Sequence, residues 1–80
     1  MRIQLNGEPR DLEGPLSVAD LLEQLHINPL LVAVEHNRVV IRRARYADTT
    51  IEEGSEVEIV AFVGGGGSYP FTLLRSRPLS

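Results

Sequence analysis

The residues whose type and spacing most suggest a chemical role are four consecutive glycines that directly follow a predicted strand. The strand covers residues 57–63, and Gly64 to Gly67 come next. Glycine has no Cβ, so a run of it cannot fill a core and is easily threaded into a narrow channel. The pattern predicts a flexible arm on a rigid body, and one use of such an arm is chemistry on its own terminal carboxylate. Here the chain continues through residues 68–80, and an internal glycine has no free carboxylate.

Composition excludes several other kinds of chemistry. The 80 residues include no cysteine, which excludes a thiolate metal site, a disulfide and a persulfide-carrying thiol. We interpret His26 and His36, which are far apart in the chain, as a helix-end residue and a turn residue. The net charge of −3 argues against a nucleic-acid partner, because phosphate binding needs a basic surface. With no apolar stretch long enough to cross a bilayer and no signal peptide, we expect a cytoplasmic protein without a membrane partner.

The first half of the chain predicts a hairpin followed by a helix. Residues 2–5 alternate polar and apolar side chains, and Asn6-Gly7 is the strongest short-range signal for a tight turn into a second strand over 8–12. Ser17 is a predicted helix N-cap, and Asn28-Pro29 is the predicted end of the helix. The apolar stripe of this helix consists of Val18, Leu21, Leu22 and Leu25.

The second half predicts further strands. Residues 30–34 form a continuous apolar run, which favours a central strand buried on both faces, and a turn at His36-Asn37 leads to a strand over 39–41. Residues 46–50 are a predicted loop or short helical turn, and 51–54 a turn with Gly54 in the left-handed conformation. In the last strand, one face carries Val57, Ile59 and Ala61, and the other carries Glu58, Val60 and Phe62.

These elements predict an α+β fold in which one helix packs across a mixed sheet of four to five strands. We assign residues 1–63 to this domain, 64–67 to the flexible glycine arm, and 68–80 to a disordered C-terminal extension.

Several segments resemble the ThiS family, the sulfur carriers of thiamin biosynthesis. They are residues 3–9, the helix start at 17–22 and the closing residues 57–65, and between them residues 34–37 and 40–47. The resemblance covers Met1 to about Gly66. It implies a ubiquitin-like β-grasp fold and a monomeric carrier protein that is not itself an enzyme.

The resemblance also implies a reaction at the glycine run. A ThiF-like enzyme would use ATP to adenylate the terminal glycine carboxylate, and a sulfur donor protein would convert it to a thiocarboxylate. Thiazole synthase (ThiG-like) would then take the sulfur, and the carrier itself would bind no cofactor. Gly66 is the expected reactive end, with Gly65 and Gly67 as neighbouring candidates. This chemistry requires removal of the extension, which we expect after Gly66 or Gly67; an uncleaved extension would leave the chain inactive.

Other interpretations stay open at this point. Val60, Phe62 and Val63, together with Gly64, are the expected partner-binding residues, but Val60 and Phe62 would be plain core if the helix covered them. A group of arginines is either a docking patch or a solvated edge; it comprises Arg38, Arg42, Arg43 and Arg45. The functional alternatives are a carrier like the small subunit of molybdopterin synthase, and a ubiquitin-like interaction module in which the glycines are only a linker.

Overall fold

The computed structural model describes residues 1–63 and the backbone of residues 72–75. The strands are β1 (Arg2–Leu5), β2 (Glu8–Asp11), β3 (Leu16–Ser17), β4 (Val32–His36), β5 (Val39–Ile41), β6 (Thr50–Ile51), β7 (Glu56–Val63) and β8 (Thr72–Arg75). The helix α1 covers Val18–Gln24, and two 3₁₀ turns cover Pro29–Leu31 and Arg43–Arg45. No helix in this described part of the chain is long and apolar enough to cross a membrane.

The main sheet is mixed and has β7 at its centre. Its order is β2-β1-β7-β4-β5, with β1 parallel to β7 and the other pairs antiparallel, and β8 pairs with β7 as an additional strand. The helix α1 packs on one face. This arrangement confirms the predicted ubiquitin-like β-grasp fold. A second, two-stranded sheet of β3 and β6 was not predicted.

The first hairpin forms as the Asn6-Gly7 dipeptide predicts. Both residues have positive φ, 53° at Asn6 and 84° at Gly7, which matches the right-handed twist of the flanking strands. The predicted second strand over 8–12 is one residue too long, since β2 ends at Asp11.

The helix begins as predicted and ends early. Ser17 Oγ accepts from the Asp20 N–H at 3.0 Å, and Asp20 Oδ2 accepts from the Ser17 N–H at 3.4 Å, which completes a capping box. Its end is not at Asn28-Pro29. His26 takes the left-handed conformation (φ 60°), and the N–H groups of His26 and Ile27 bond the carbonyls of Glu23 and Leu22. This Schellman motif stops the helix before the proline.

The central strand predicted over 30–34 does form, as β4 between β7 and β5, but it covers Val32–His36 and is not buried on both faces. Leu30 and Leu31 belong to the 3₁₀ turn and are 58% and 56% exposed, because the Asn28 side chain accepts from the Leu30 N–H and turns the chain. In β4 itself Val32 and Val34 are buried and Ala33 is only half-buried, since one helix covers one face of the sheet. The turn after β4 is at Asn37-Arg38, one residue later than predicted.

The segment before β7 contributes to the core in a way the sequence did not indicate. Ile51, placed in a predicted turn, is fully buried in β6 opposite Leu16. Gly54 has φ 82°, which confirms the predicted left-handed position. The core cluster lies between α1, this segment and one face of the sheet; it contains Ile3, Leu16, Val18, Leu21, Leu22, Val32, Val34, Tyr46, Ile51, Val57 and Ile59.

Candidate functional site

The candidate site is the C-terminal end of β7, the strand that leads into the glycine run. Residues Gly64 to Gly67, which include the expected reactive end, lie outside the described residues. The structure therefore describes the domain that precedes the glycine run, and not the run itself. Pairing with β4 extends along β7 as far as Ala61, which is in register with Val32. The last two residues of the strand, Phe62 and Val63, lie beyond that pairing.

Val60 and Phe62 lie on the sheet face opposite the helix. Side chains alternate along a strand, and Val57 and Ile59 belong to the core cluster under α1, so Val60 and Phe62 point the other way. The interpretation that the helix covers them is therefore wrong. Val60 is nevertheless only 6% exposed, while Phe62 is half-buried. The predicted partner-binding residues Val60, Phe62 and Val63 are thus adjacent at the end of one strand.

Two asparagine side chains hold β7 by its backbone, one on each edge. Asn6 Oδ1 accepts from the Ile59 N–H at 2.8 Å, and Asn6 Nδ2 donates to the Ile59 carbonyl at 3.4 Å. On the other edge, Asn37 Oδ1 accepts from the Glu56 N–H at 2.9 Å, and the Asn37 N–H donates to the Glu56 carbonyl at 2.7 Å. Both asparagines have left-handed φ. They were identified as turn residues from sequence, but their contacts with β7 were not anticipated.

The strand β8 runs along the end of β7. Val60 is in register with Arg75 and Val63 with Thr72, in antiparallel orientation. The sequence predicted disorder throughout residues 68–80; for the four residues of this extension that the structure describes, it has a strand. Because β4 already pairs with Val60 and Ala61, β8 must lie on the opposite edge of β7, the edge that β1 and Asn6 occupy further down.

The sheet face next to Val60 is acidic. Glu35 on β4 is directly opposite Glu58 on β7, and with Glu56 they line a cleft of about 600 Å³. Arg38 reaches the rim of this cleft and forms an exposed ion pair with Glu56 at 3.4 Å. A partner that docks on this face would be complementary if it were basic.

The remaining arginines of the predicted group lie away from this acidic face. Arg42, Arg43 and Arg45 are exposed in and beside the second 3₁₀ turn. Arg43 lines a largely apolar groove of about 610 Å³, together with His26 and Tyr46. Tyr46 is 5% exposed, and this burial raises the pKa of its phenol, while the charge of Arg43 acts to lower it.

One histidine lies beside a serine, but the arrangement is structural. His36 Nε2 and Ser55 Oγ are 3.1 Å apart. Ser55 is only 5% exposed, and its hydroxyl oxygen accepts from the Glu52 N–H at 3.0 Å, so it closes the turn before β7 and is not accessible to a substrate. Among the described residues, no cluster of side chains could hold a metal ion.

Comparison with known proteins places this geometry in a family. The model of the ThiS family matches residues 3–66. The chain is 36% identical over 64 residues to the sulfur carrier protein ThiS of Thermus thermophilus, covering 80% of this chain and 98% of that protein. It also resembles the crystal structure of the thiamine biosynthesis protein ThiS from Geobacter metallireducens, with a TM-score of 0.74 and 36% identity over 82% of this chain and 100% of that one.

A second kind of relative is much longer. The chain is 40% identical over 70 residues to a thiazole synthase of Magnetococcus marinus, covering 88% of this chain and 22% of that protein. The chain thus spans about a fifth of the length of this relative. The family match over nearly the whole described domain, the identity to full-length ThiS and the shared fold lead to one conclusion: the chain belongs to the ThiS family.

Proposed function

We propose that this protein is a cytoplasmic sulfur carrier for the thiazole branch of thiamin synthesis, and that it acts through a C-terminal glycine thiocarboxylate. The observation that carries the proposal is the extent of the family match, which ends at Gly66, inside the glycine run. The described residues support the same role, because they build a domain around β7, and this strand ends at Val63, three positions before that glycine in the sequence.

The chemistry begins once the residues after the reactive glycine are removed. The freed carboxylate attacks the α-phosphate of ATP on an adenylating enzyme, pyrophosphate leaves, and an acyl-adenylate forms. Hydrosulfide supplied by the donor then attacks the acyl carbon; the new C–S bond forms, the C–O bond to AMP breaks, and the product is the thiocarboxylate. The carrier supplies the carboxylate and the surface that positions it, so it acts as a protein co-substrate and holds no cofactor.

The proposed partners are a ThiF-like adenylating enzyme, a sulfur donor protein and thiazole synthase. Support for the last comes from the long relatives, in which a segment similar to this chain is part of a protein named thiazole synthase. The acidic face and the half-buried Phe62 at the end of β7 are the surface that we assign to these contacts.

The test is adenylation and thiocarboxylation of defined C-termini. Chains ending at Gly65, Gly66 and Gly67, and the full chain, are incubated with the adenylating enzyme, ATP and a sulfide source, and their intact masses are measured. We expect the adenylate, and then replacement of one oxygen by sulfur, on the Gly66 chain and not on the full chain. The Thermus thermophilus ThiS serves as the positive control.

The alternatives predict different results. A ubiquitin-like interaction module would show no adenylate on any of the truncated chains while the control reacts. A carrier for molybdopterin synthase would form the thiocarboxylate but transfer its sulfur to that enzyme and not to thiazole synthase. Intact mass of the protein from its own cells during thiamin-limited growth identifies the natural terminus; a mass that retains Ser80 while thiazole synthesis proceeds would contradict the proposed removal of the extension.

A further inference from the structure

The two edges of β7 can be assigned from its hydrogen bonds. The Val57 carbonyl accepts from the Asn6 N–H at 2.8 Å, and both backbone groups of Ile59 bond the Asn6 side chain. Backbone groups of alternate residues along a strand point to the same edge. The N–H and C=O of Ala61 and Val63 therefore point to the edge that β1 and Asn6 share. On the opposite edge, the backbone groups of Glu56 face Asn37, which agrees with this alternation.

Beyond Ile59, β8 is the strand that covers this edge. Ala61 is in register with Leu74 and Val63 with Thr72, so these are the hydrogen-bonded pairs of the β7–β8 ladder. The β1 pairing ends at Val57, and Asn6 fills the place at Ile59. With β8 removed, the edge at Ala61 and Val63 would present unpaired backbone groups, which form a template for another strand.

We propose that Thr72–Arg75 masks a strand-binding edge at Ala61–Val63, and that after its removal this edge binds an extended segment of the adenylating enzyme. The partner assignment rests on the proposed function, whereas the masking does not. The argument for an extended backbone as occupant is that the edge already holds one in this chain. The β8 ladder covers this edge from Val60, opposite Arg75, to Val63, opposite Thr72.

Masking is tested with two proline variants of the full chain. Proline lacks the backbone N–H. Leu74→Pro removes an N–H that faces Ala61, whereas Leu73→Pro, its matched control, removes one that faces away from β7. We expect the amide protons of Ala61 and Val63 to exchange at least tenfold faster in Leu74→Pro than in Leu73→Pro. The Ile59 amide, which Asn6 holds at 2.8 Å, should stay protected in both.

Partner binding is tested with the same chains and the adenylating enzyme by titration calorimetry. We expect Leu74→Pro to bind the enzyme about tenfold more tightly than Leu73→Pro. The reason is that β8 competes with the enzyme for this edge, and Leu74→Pro weakens the β7–β8 ladder by one or two hydrogen bonds. The chain ending at Gly66 keeps the whole core cluster, which lies within residues 3–59. In this chain the amide protons of Ala61 and Val63 should exchange faster than in the full chain. Binding of the enzyme should slow their exchange again.

Each contrary result would reject a different part of the proposal. Equal exchange of Ala61 in both proline variants would refute the masking. Unchanged exchange of Ala61 and Val63 in the complex with the Gly66 chain, or equal affinity of the two proline variants, would refute the edge as the docking site. Failure of the Gly66 chain to become adenylated, with the exchange difference intact, would refute the proposed function and leave the masking established.

Discussion

Asn6 acts as a short substitute for a strand beside Ile59. Where β1 ends, its side-chain amide accepts the Ile59 N–H at 2.8 Å and donates to the Ile59 carbonyl, as a paired strand would. The residue is only 6% exposed, so water cannot replace these bonds. The left-handed φ of 53° lets one residue serve both the hairpin turn and the central strand.

Replacing this side chain should therefore cost substantial stability. In Asn6→Gly the positive φ remains favourable, but the Ile59 N–H and C=O lose their partners, and we expect a loss of about 2–3 kcal/mol in the free energy of unfolding. Asn37→Gly is the matched control: it removes the exposed contact with Glu56, and a loss below about 1 kcal/mol is expected. Urea unfolding measures both; equal losses would contradict the argument from burial.

The end of α1 offers a stabilising substitution. His26 occupies the left-handed position of a Schellman motif, where glycine is the preferred residue because it has no Cβ. We expect His26→Gly to raise the free energy of unfolding by about 0.5–1 kcal/mol. Gln24→Gly, two residues earlier at the last position of the helix, should lower it by less than about 1 kcal/mol. If His26→Gly lowered the free energy of unfolding instead, the histidine side chain would contribute more stability than its positive φ costs.

Ionisation of Tyr46 should lower the stability of the folded protein at alkaline pH. Burial raises the pKa of its phenol above the ordinary 10.0, so the folded state favours the neutral form. This contribution is complete below the unfolded pKa and is lost as the pH rises through the folded one. Thermal melts from pH 8 to 11 should show this alkaline loss, and Tyr46→Phe, which has no hydroxyl to ionise, should reduce it. An identical decline in both proteins would assign the loss to other groups.

Phe62 is the residue whose loss should most affect partner binding. It is a half-buried aromatic at the end of β7, on the face next to the acidic cleft. In the chain ending at Gly66, Phe62→Ala should weaken binding to the adenylating enzyme about tenfold or more, as is typical of aromatic anchors. Leu31→Ala is the control, since Leu31 is an apolar residue that is 56% exposed in the first 3₁₀ turn. Equal affinities of the two variants would remove Phe62 from the binding surface.

The elements that local signals specify were predictable. The Asn6-Gly7 turn, the Ser17 N-cap and the last strand each depend on neighbours in sequence, and each forms as expected. The helix end was missed because a histidine, and not glycine, adopts the left-handed conformation at position 26. Residues 30 and 31 were misassigned because apolar composition does not distinguish a buried strand from an exposed turn.

The contacts that shape the candidate site could not be predicted, because they join distant parts of the chain. The Asn6 bonds to Ile59 span 53 residues, and nothing in the hairpin sequence indicates which backbone the amide reaches. The placement of Val60 and Phe62 away from the helix likewise depends on the register of β7, which is set by its pairing with β4 and β1.

The β4 pairing ends at Ala61, and Gly66, the proposed reactive end, is five positions further along the chain. Because an extended chain spans about 3.4 Å per residue, its carboxylate could reach about 17 Å from this last cross-strand anchor. An enzyme that adenylates Gly66, as we propose, must therefore place its nucleotide within that radius of the docked sheet. Adding or deleting one glycine would shift the reaction centre by about 3.4 Å, which is enough to separate the carboxylate from the phosphate it must attack.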